Sequence, residues 1–172
     1  MRYTNFDTIV PTIFETKSSD EVQVVVSNLD LFNTLQILKL HLGFQYKLLT
    51  CISGLDLMLP SYRFCVAYEL LSLAYNSRLR LKVFLNEIAI VDSCVSIFIN
   101  ANWWEREIWD LYGFYFQNHP DLRRILTDYG FEGYPMRKDF PLSGFVEFNY
   151  DFFKGVVSME AVELAQEYRF YN

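Results

Sequence analysis

The chain has 172 residues and a mass of 20.4 kDa, which suits one domain with short extensions. Hydrophobic residues make up 52% of it, enough to build a core and to exclude disorder for most of the chain. The net charge of −6 and the pI near 4.9 argue against nucleic acid as a partner, because phosphate binding needs a basic surface.

Membrane and redox signals are weak. No apolar run reaches the roughly 18 residues that a membrane-spanning helix needs, so we expect no direct membrane span. The N-terminal residues lack an apolar signal core and carry acidic residues that a transit peptide avoids, so we expect a chain made where it works or already processed. The three cysteines have no C-x-x-C spacing, which predicts buried reduced thiols: Cys51, Cys65 and Cys94.

The first part of the chain alternates between strand and helix patterns. Residues 1–20 show no clear period and are predicted to form an N-terminal arm. The valines at 22, 24 and 26 indicate a short strand. Ser27–Asp30 has the form of a capping box, and leucines at helical spacing continue to Gly43. This pattern predicts a helix of about 13 residues that covers one face of a sheet.

Three strands are predicted next. Residues 44–52 alternate in hydrophobicity, with a turn or bulge expected at Ser53–Gly54. Residues 63–75 and the strand after Asn76–Ser77 predict a hairpin, with leucine and valine facing inward and basic residues facing solvent. Residues 88–98 fit either a strand or a buried helical turn. The order predicts an α+β fold: a mainly antiparallel sheet with a covering helix, a helix–loop region and an extended C-terminal tail.

These patterns divide the chain into three parts. We predict an N-terminal arm (1–20), an α+β domain (21–144) that includes the densely charged stretch 103–142, and a tail (145–172). The tail is rich in aromatic residues but has no long amphipathic period. We therefore expect it to be an extended segment that gains its order on a partner protein.

The stretch 103–142 begins with a second helix. Asn102 and Glu105 resemble a helix start, and Gly113 marks its end. Two opposite faces are predicted, an apolar one with Trp104, Ile108, Leu111 and Tyr112, and an outer one with Trp103, Arg106, Glu107 and Asp110. Arg106 and Asp110 are four residues apart, so they can pair on the outer face.

Glu105 falls within the apolar arc of this helix, where an unpaired carboxylate is costly. We expect Arg123 or Arg124 to neutralise it. His119–Asp121 predicts the start of another short helix, because proline suits the first turn and aspartate complements its dipole. Glycines and a proline between 127 and 135 predict an ordered loop.

Several chemical readings of the stretch are weak. An acid–base site of Glu105, Asp110 and His119 lacks a nearby nucleophile or anion hole. The two histidines show no metal-ligand spacing, and Gly130 to Gly133 is too short for a phosphate loop. We therefore predict no catalytic, cofactor-binding or metal-binding residue. The favoured hypothesis is a scaffold in which charges and aromatics hold an irregular surface against a partner protein.

Three runs in this stretch carry a family resemblance: E-R-E-x-W-D-L-Y-G, H-P-D-L-R-R-I-L and F-E-G-x-P-x-R-K-D-F-P. They closely resemble the signature of the thirty-kilodalton subunit family of NADH–quinone oxidoreductase, respiratory complex I. Met136 and Ala161 depart from the usual leucine and proline of the family. The residues assigned a structural or interface role are Glu105, Arg106, Glu107, Asp110, His119, Asp121, Arg123, Arg124, Arg137, Lys138 and Asp139.

The resemblance implies a non-catalytic subunit of the peripheral arm, within an enzyme that transfers electrons from NADH to ubiquinone and translocates protons. FMN and the iron–sulfur clusters would then lie in partner subunits. The implied partners are the large quinone-site subunit and the neighbouring iron–sulfur subunits. The implied place is the matrix side of the mitochondrial inner membrane, or the cytoplasmic face of a bacterial plasma membrane.

Three alternatives stay open at this point. Within the wider family, the chain resembles subunit J of a plastid or cyanobacterial complex-I-like enzyme, or a membrane hydrogenase relative. Outside it, a stand-alone carboxylate-dependent enzyme would use the charged stretch as its own site.

Overall fold

The computed structural model of the chain describes residues 10–17, 22–164, 166 and 169. The strands in these ranges are β1 (Thr12–Lys17), β2 (Val22–Val26), β3 (Leu48–Asp56), β4 (Phe64–Ser72), β5 (Ser77–Leu85), β6 (Ile90–Asp92), β7 (Tyr115–Gln117), β8 (Val146–Asp151) and β9 (Val156–Ala161). The helices are α1 (Leu31–Leu40) and α2 (Ala101–Tyr112). The fold is α+β, as predicted.

Five strands form one mixed sheet in the order β1-β2-β5-β4-β3. The neighbours are antiparallel except β2 and β5, which run parallel. The inward residues of β5 are buried as predicted: Leu79, Leu81, Val83 and Leu85. Its basic face is tied to neighbouring strands, since Arg80 pairs with Glu69 and Lys82 Nζ donates to Gln23 at 2.8 Å.

Part of the predicted N-terminal arm belongs to the sheet. Strand β1 pairs antiparallel with β2, and Val10 is buried in the hydrophobic core. Residues 12–17 show no strand period because an edge strand is specified by its neighbour's backbone as much as by its own side chains. The remaining arm residues, 1–9 and 18–20, lie outside the described residues.

Helix α1 is shorter than predicted at both ends. Asn28–Asp30 form a 3-10 turn, and Ser27 makes no capping hydrogen bond through its side chain. At the other end His41 is already extended, so the helix stops at Leu40 and does not reach the glycine. The leucines of its inner face are buried in the same cluster as the sheet residues: Leu31, Leu35 and Leu38.

The turn predicted at Ser53–Gly54 is absent, because both residues lie inside β3. The ring of Tyr112 packs over Gly54, where an added Cβ would lie only 2.7 Å from Tyr112 Cδ2. The irregularity in the β3–β4 pairing falls earlier, between Leu49 and Cys51. The glycine therefore makes room for the end of α2 rather than for a turn.

The ambiguous residues 88–98 contain the three-residue strand β6 followed by turns. Strand β6 pairs in parallel with β7, and α2 connects the two. Helix α2 also lies against β3. No helix in the described part of the chain has the length and apolar character needed to cross a membrane.

Both ends of α2 depend on backbone geometry. Asn102 lies inside the helix rather than capping it, and Asn100 turns its Nδ2 to the carbonyl of Leu49 on β3 at 2.6 Å. At the other end Gly113 has a φ of 80°, which confirms the predicted stop. A Cβ at this glycine would also lie 2.6 Å from the ring of Tyr134.

The C-terminal part differs from its prediction twice. No helix opens at His119–Asp121, because the N–H of Asp121 donates to Nδ1 of His119 at 3.1 Å in a local turn. The tail is a hairpin of β8 and β9 rather than an extended segment, since alternating apolar residues pair across a turn closed by Gly155. The domain boundaries at 20 and 144 stay predictions.

Candidate functional site

Helix α2 carries three charged side chains that the fold buries. Glu105 and Asp110 have no exposed surface, and Arg106 is 8% exposed. The prediction of an outer face holds for Trp103, which is 66% exposed, but is wrong for Arg106 and Asp110. These two do not pair with each other. They bind the backbone after residue 117, which folds over this side of the helix.

Glu105 reaches back to the end of β6. Its carboxylate accepts hydrogen bonds from the hydroxyl of Ser93 at 2.6 Å and from the N–H of Cys94 at 2.7 Å. The thiol of Cys94 is a third donor, with Sγ 3.1 Å from Oε1. The predicted neutralisation by Arg123 or Arg124 is therefore wrong, because both arginines have other partners.

Burial is the largest influence on the Glu105 carboxyl and raises its pKa. The hydrogen bonds from Ser93 and Cys94 offset part of this effect because they stabilise the ionised form. Burial, together with the nearby charge of Glu105, also raises the pKa of the Cys94 thiol. Cys94 therefore stays a protonated donor and is a poor nucleophile.

His119 lies against the same carboxylate. Its Nε2 is 3.9 Å from Oε2 of Glu105, and neither side chain has exposed surface. Because Nδ1 accepts the N–H of Asp121, the ring proton sits on Nε2, which faces the carbonyl of Asn102 at 3.2 Å. His119 thus fastens the chain after β7 to the first turn of α2.

Asp110 organises the following loop. Its Oδ2 accepts three consecutive backbone N–H groups, from Ile125 at 3.2 Å, Leu126 at 2.7 Å and Thr127 at 2.9 Å. Its Oδ1 accepts the Thr127 hydroxyl at 2.6 Å and Nη1 of Arg124 at 3.1 Å. Burial alone raises the pKa of this carboxyl, but the hydrogen bonds outweigh burial and lower it. Asp110 is therefore an ionised anchor for the loop.

The two adjacent arginines have different environments. Arg124 also donates from Nη1 and Nη2 to the carbonyl of Gly133, each at 3.0 Å. The Arg123 side chain is 71% exposed and pairs with the exposed Asp121 at 3.0 Å. Only the backbone of Arg123 meets α2, through its carbonyl, which accepts Nε of Arg106 at 3.1 Å.

The last turn of α2 is capped by residues far along the chain. The N–H of Met136 donates to the carbonyl of Leu111 at 3.1 Å, and Nε of Arg137 donates to that of Tyr112 at 2.6 Å. These contacts satisfy carbonyls that a helix C-terminus leaves without a partner. Nη1 of Arg137 also pairs with Glu87 at 3.1 Å.

Lys138 and Asp139 attach to the connection between β3 and β4. The N–H of Lys138 donates to Asp56 at 3.0 Å, and Asp139 lies 2.9 Å from Nη2 of Arg63. Arg63 also pairs with Asp56 at 3.2 Å. Burial by itself raises the pKa of Asp56, but the hydrogen bonds from Arg63 and Lys138 outweigh burial and lower it.

Sequence reasoning missed the partners that lie before α2: Asp56, Arg63, Glu87 and Ser93. One signal was present, because Asp56 shares the inward face of β3 with Ile52, where an acid needs a partner. The serine and Glu87 carry no such signal. The interface role assigned to the signature residues stays a prediction.

The network does not assemble the acid–base site of Glu105, Asp110 and His119. Glu105 and His119 meet, but Asp110 turns to a different set of donors. Glu105 and His119 are also closed to solvent, so a substrate has no access to them. In the ranges that the structure describes, no group of three or more His, Cys, Asp or Glu side chains could hold a metal ion. These buried charged side chains attach the irregular segment after residue 117 to helix α2.

Outside this network the C-terminal part exposes many large apolar side chains. A groove of about 490 Å³ lies between the loop around residues 128–135 and the hairpin β8–β9. We call it the C-terminal groove, and its lining includes Asp128, Tyr129, Phe131, Glu132, Phe140, Phe145, Val146, Phe148 and Met159. Large contiguous apolar patches are uncommon on the exposed surface of monomeric proteins.

A solved structure shares the fold. The membrane-bound sulfane sulfur reductase, described as an archaeal respiratory membrane complex, contains a chain that superposes with a TM-score of 0.65. The match covers 77% of this chain and 79% of that chain at 22% identity, which shows likeness of fold alone.

Sequence relatives are closer. NADH-ubiquinone oxidoreductase subunit 9 of Reclinomonas americana is 49% identical over 90% of this chain and 76% of its own length. NADH dehydrogenase (ubiquinone) iron-sulfur protein 3 of Beta trigyna is 52% identical over 83% of this chain and 74% of its own length. The family model described as respiratory-chain NADH dehydrogenase, 30 Kd subunit, matches residues 24–146. The chain therefore belongs to the 30-kDa subunit family of respiratory-chain NADH dehydrogenase.

Proposed function

We propose that the chain is a non-catalytic structural subunit of the peripheral arm of NADH–ubiquinone oxidoreductase. The observation that carries the proposal is the pairing of two features. The buried Asp110 carboxylate on α2 accepts three backbone N–H groups of the loop at 125–127, and the region after residue 117 presents apolar surface to its surroundings. A loop that is already held by the domain suits a permanent partner, because the ordering cost of the loop is met before association.

The partners we propose are the large quinone-site subunit and the neighbouring iron–sulfur subunits. The hairpin and the C-terminal groove would lie against the large subunit, in the role first assigned to an extended tail. Small misplacements behind a reaction site lower rates even without touching a reacting group. Rigidity in this chain therefore supports electron transfer that takes place elsewhere. The complex would act at the mitochondrial inner membrane, with this chain on the matrix side.

The clusters and FMN of the complex would reside in other subunits, although some relatives carry the name iron-sulfur protein. A cluster needs thiolates that converge on it. Here Cys51 is on β3, Cys65 is on β4 and Cys94 follows β6. Burial raises the pKa of Cys65 to about 11, and Cys94 donates to Glu105, so both favour the protonated thiol. Neither thiol is therefore in the thiolate form that binds a metal.

A stand-alone carboxylate enzyme would need an accessible group of acids. Glu105 and Asp110 are both closed to solvent and occupied by internal donors. We therefore keep the subunit as the one proposed function.

The test is purification of the chain, tagged, from membranes that contain the complex, beside the chain expressed alone. We expect NADH–quinone reductase activity to co-purify with the tagged chain. The chain alone should contain no iron or flavin and should not oxidise NADH. Deleting residues 145–172 should leave its melting temperature nearly unchanged but reduce its recovery with the complex. Intrinsic activity of the isolated chain would overturn the proposal.

A further inference from the structure

One wall of the C-terminal groove is the apolar face of the hairpin β8–β9. Residues of an antiparallel hairpin alternate between two faces, so β8 and β9 have one apolar and one polar side. The cross-strand pairs of the apolar side are Val146 with Ala161, Phe148 with Met159, and Tyr150 with Val157. Val146, Phe148 and Met159 line the groove, so the apolar face of the hairpin is turned toward it.

This wall is not covered by the described part of the chain. Phe148 is 61% exposed and Met159 is 63% exposed, while Tyr129 on the opposite wall is fully exposed. A two-stranded hairpin is marginal in water unless its apolar face packs against something. The groove therefore needs an occupant with apolar side chains for the hairpin to be stable in its working state.

The border of the groove is acidic. Asp128 and Glu132 belong to the loop wall, and neither pairs with a lysine or arginine of the described ranges. On the polar side of the hairpin Glu147 stands directly opposite Glu160, an arrangement in which like charges repel. The nearby Lys154 is taken by Asp151 at 3.1 Å. Asp128 and Glu132 therefore remain accessible to a cation from a partner protein, whereas Glu147 and Glu160 lie on the side of the hairpin turned away from the groove.

We propose that the groove holds a segment of a neighbouring subunit of the complex. This proposal rests on the proposed function of the chain as a subunit. Aliphatic or aromatic side chains of that segment fill the groove, and a lysine or arginine beside them meets Asp128 and Glu132. Such a cation gives two carboxylates that form no ion pair in the described ranges charge-assisted contacts, which fix the register of the segment.

Other occupants fit the same surface less well. An anionic lipid headgroup would be repelled by the two carboxylates, and an uncharged quinone would bring no cation to them. A second copy of this chain would bring another acidic surface, because the net charge is −6. A basic apolar segment satisfies both the exposed wall and the acidic border.

Photo-cross-linking in the assembled complex tests the proposal. A photoreactive phenylalanine replaces Phe148 in the full chain, and the cross-linked peptide is identified by mass spectrometry. Phe153, at the exposed tip of the same hairpin and outside the groove, is the matched control position. We expect the Phe148 probe to capture a peptide of another subunit with a lysine or arginine within about three residues of the cross-link. The Phe153 probe should not capture this peptide.

Charge exchange gives the second arm of the test. The double variant Asp128→Lys with Glu132→Lys should lower recovery of the chain in the complex about tenfold, and Asp128→Asn with Glu132→Gln should lower it less. Changing the captured lysine or arginine to glutamate should restore recovery of the first variant. The melting temperature of the free variants separates this effect from misfolding.

The outcomes separate the two proposals. A Phe148 cross-link to lipid, to quinone, to a second copy or to a segment without a basic residue overturns the occupant named here. So does the same capture from Phe153, or unchanged recovery after charge reversal. In each case the chain still co-purifies with the complex, and the proposed function stands. Failure of the unmodified chain to co-purify at all overturns the proposed function itself.

Discussion

Residues 22–116 and residues 117–164 are held in place by different forces. The first region contains nearly the whole buried core, from the strands of the main sheet to Phe116 on β7. In the second region no described residue is buried as a whole, although the side chain of His119 is. It is attached instead through hydrogen bonds to polar groups of the first, chiefly the Asp110 and Asp56 carboxylates and the Asn102 carbonyl, and His119 also lies 3.9 Å from the buried Glu105 carboxylate. The first region is therefore stabilised by the burial of apolar side chains. The second region is held on its surface by polar contacts.

This separation explains why the charged signature is so dense. Backbone groups that leave a hydrophobic core need another set of partners, since unpaired buried N–H and C=O groups are costly. The carboxylate of Asp110 supplies acceptors for three N–H groups, and Arg124 and Arg137 supply donors for carbonyls. The apolar side chains of the second region are then free to meet a partner.

The largest effect on the comparison should come from the core. Leu81 is fully buried on β5, so Leu81→Ala removes transfer energy and leaves a cavity. We expect the free energy of unfolding to fall by about 3–5 kcal/mol, measured by urea denaturation of the purified chain. Both regions should lose amide protection together in hydrogen exchange. If protection fell only near β5, the core would not be one cooperative unit.

Asp110→Ala should detach the second region while sparing the first. The change leaves Arg124 and three backbone N–H groups without their acceptor, at a cost of about 3 kcal/mol. Amides of residues 125–127 should exchange about a hundredfold faster, while those of β4 and β5 change far less. Asp110→Asn, which keeps one acceptor oxygen, is the matched control with a smaller effect. Uniform loss of protection in both regions would contradict the separation.

The same difference between the two regions explains which features could be predicted from the sequence. The alternation in β5 and the leucine spacing of α1 predict their buried faces, because a core selects apolar residues at a fixed period. Glu105 stood out as a misfit on its helix, but its partners follow β6, on another element. The helical period of a sequence predicts which residues share a face of the helix, but it does not show which other part of the chain packs against that face. Asp110 was therefore placed in solvent, although the loop at 125–127 closes over it.

Arg137 joins the two regions at the C-terminal end of α2. Arg137→Ala removes a donor from the Tyr112 carbonyl and one of the two arginine partners of Glu87, so we expect a local loss of about 2 kcal/mol. Less complex should assemble, and quinone reduction per assembled complex should fall as a second effect. Iron–sulfur spectra of the purified variant complex, recorded beside its turnover, should keep their normal cluster signals. A missing cluster signal in a normal amount of complex would mean that the loop protects a cofactor directly.

Glu105 gives the stability of the folded chain a dependence on pH. Burial raises the pKa of its carboxyl above the ordinary value of 4.5, so the folded chain holds this proton more tightly than the unfolded chain. The free energy of unfolding should therefore decrease as pH rises from 4.5 through the raised pKa. Asp56 and Asp110, with lowered pKa, act the opposite way and lose stability as pH falls below their ordinary 3.8.

The variant Glu105→Gln isolates the first of these contributions. The amide cannot ionise, so the decrease above pH 4.5 should disappear, while the loss at lower pH remains. At low pH, where both side chains are neutral, the two proteins should differ by about 1 kcal/mol. Urea denaturation at a series of pH values measures both. An unchanged slope above pH 4.5 in the variant would assign the pH dependence to another group.

The smallest effect is expected at Arg123, beside the anchor Arg124. Both substitutions to alanine remove one positive charge from neighbouring positions, so they form a matched pair. Arg123→Ala loses only an exposed ion pair with Asp121 and should cost less than about 0.5 kcal/mol. Its carbonyl still accepts Nε of Arg106, because that contact uses the backbone. Arg124→Ala leaves Asp110 and the Gly133 carbonyl without their shared donor and should cost several times more. Hydrogen exchange at residues 125–127 compares the two, and equal acceleration would show that charge near α2, rather than these specific bonds, holds the second region.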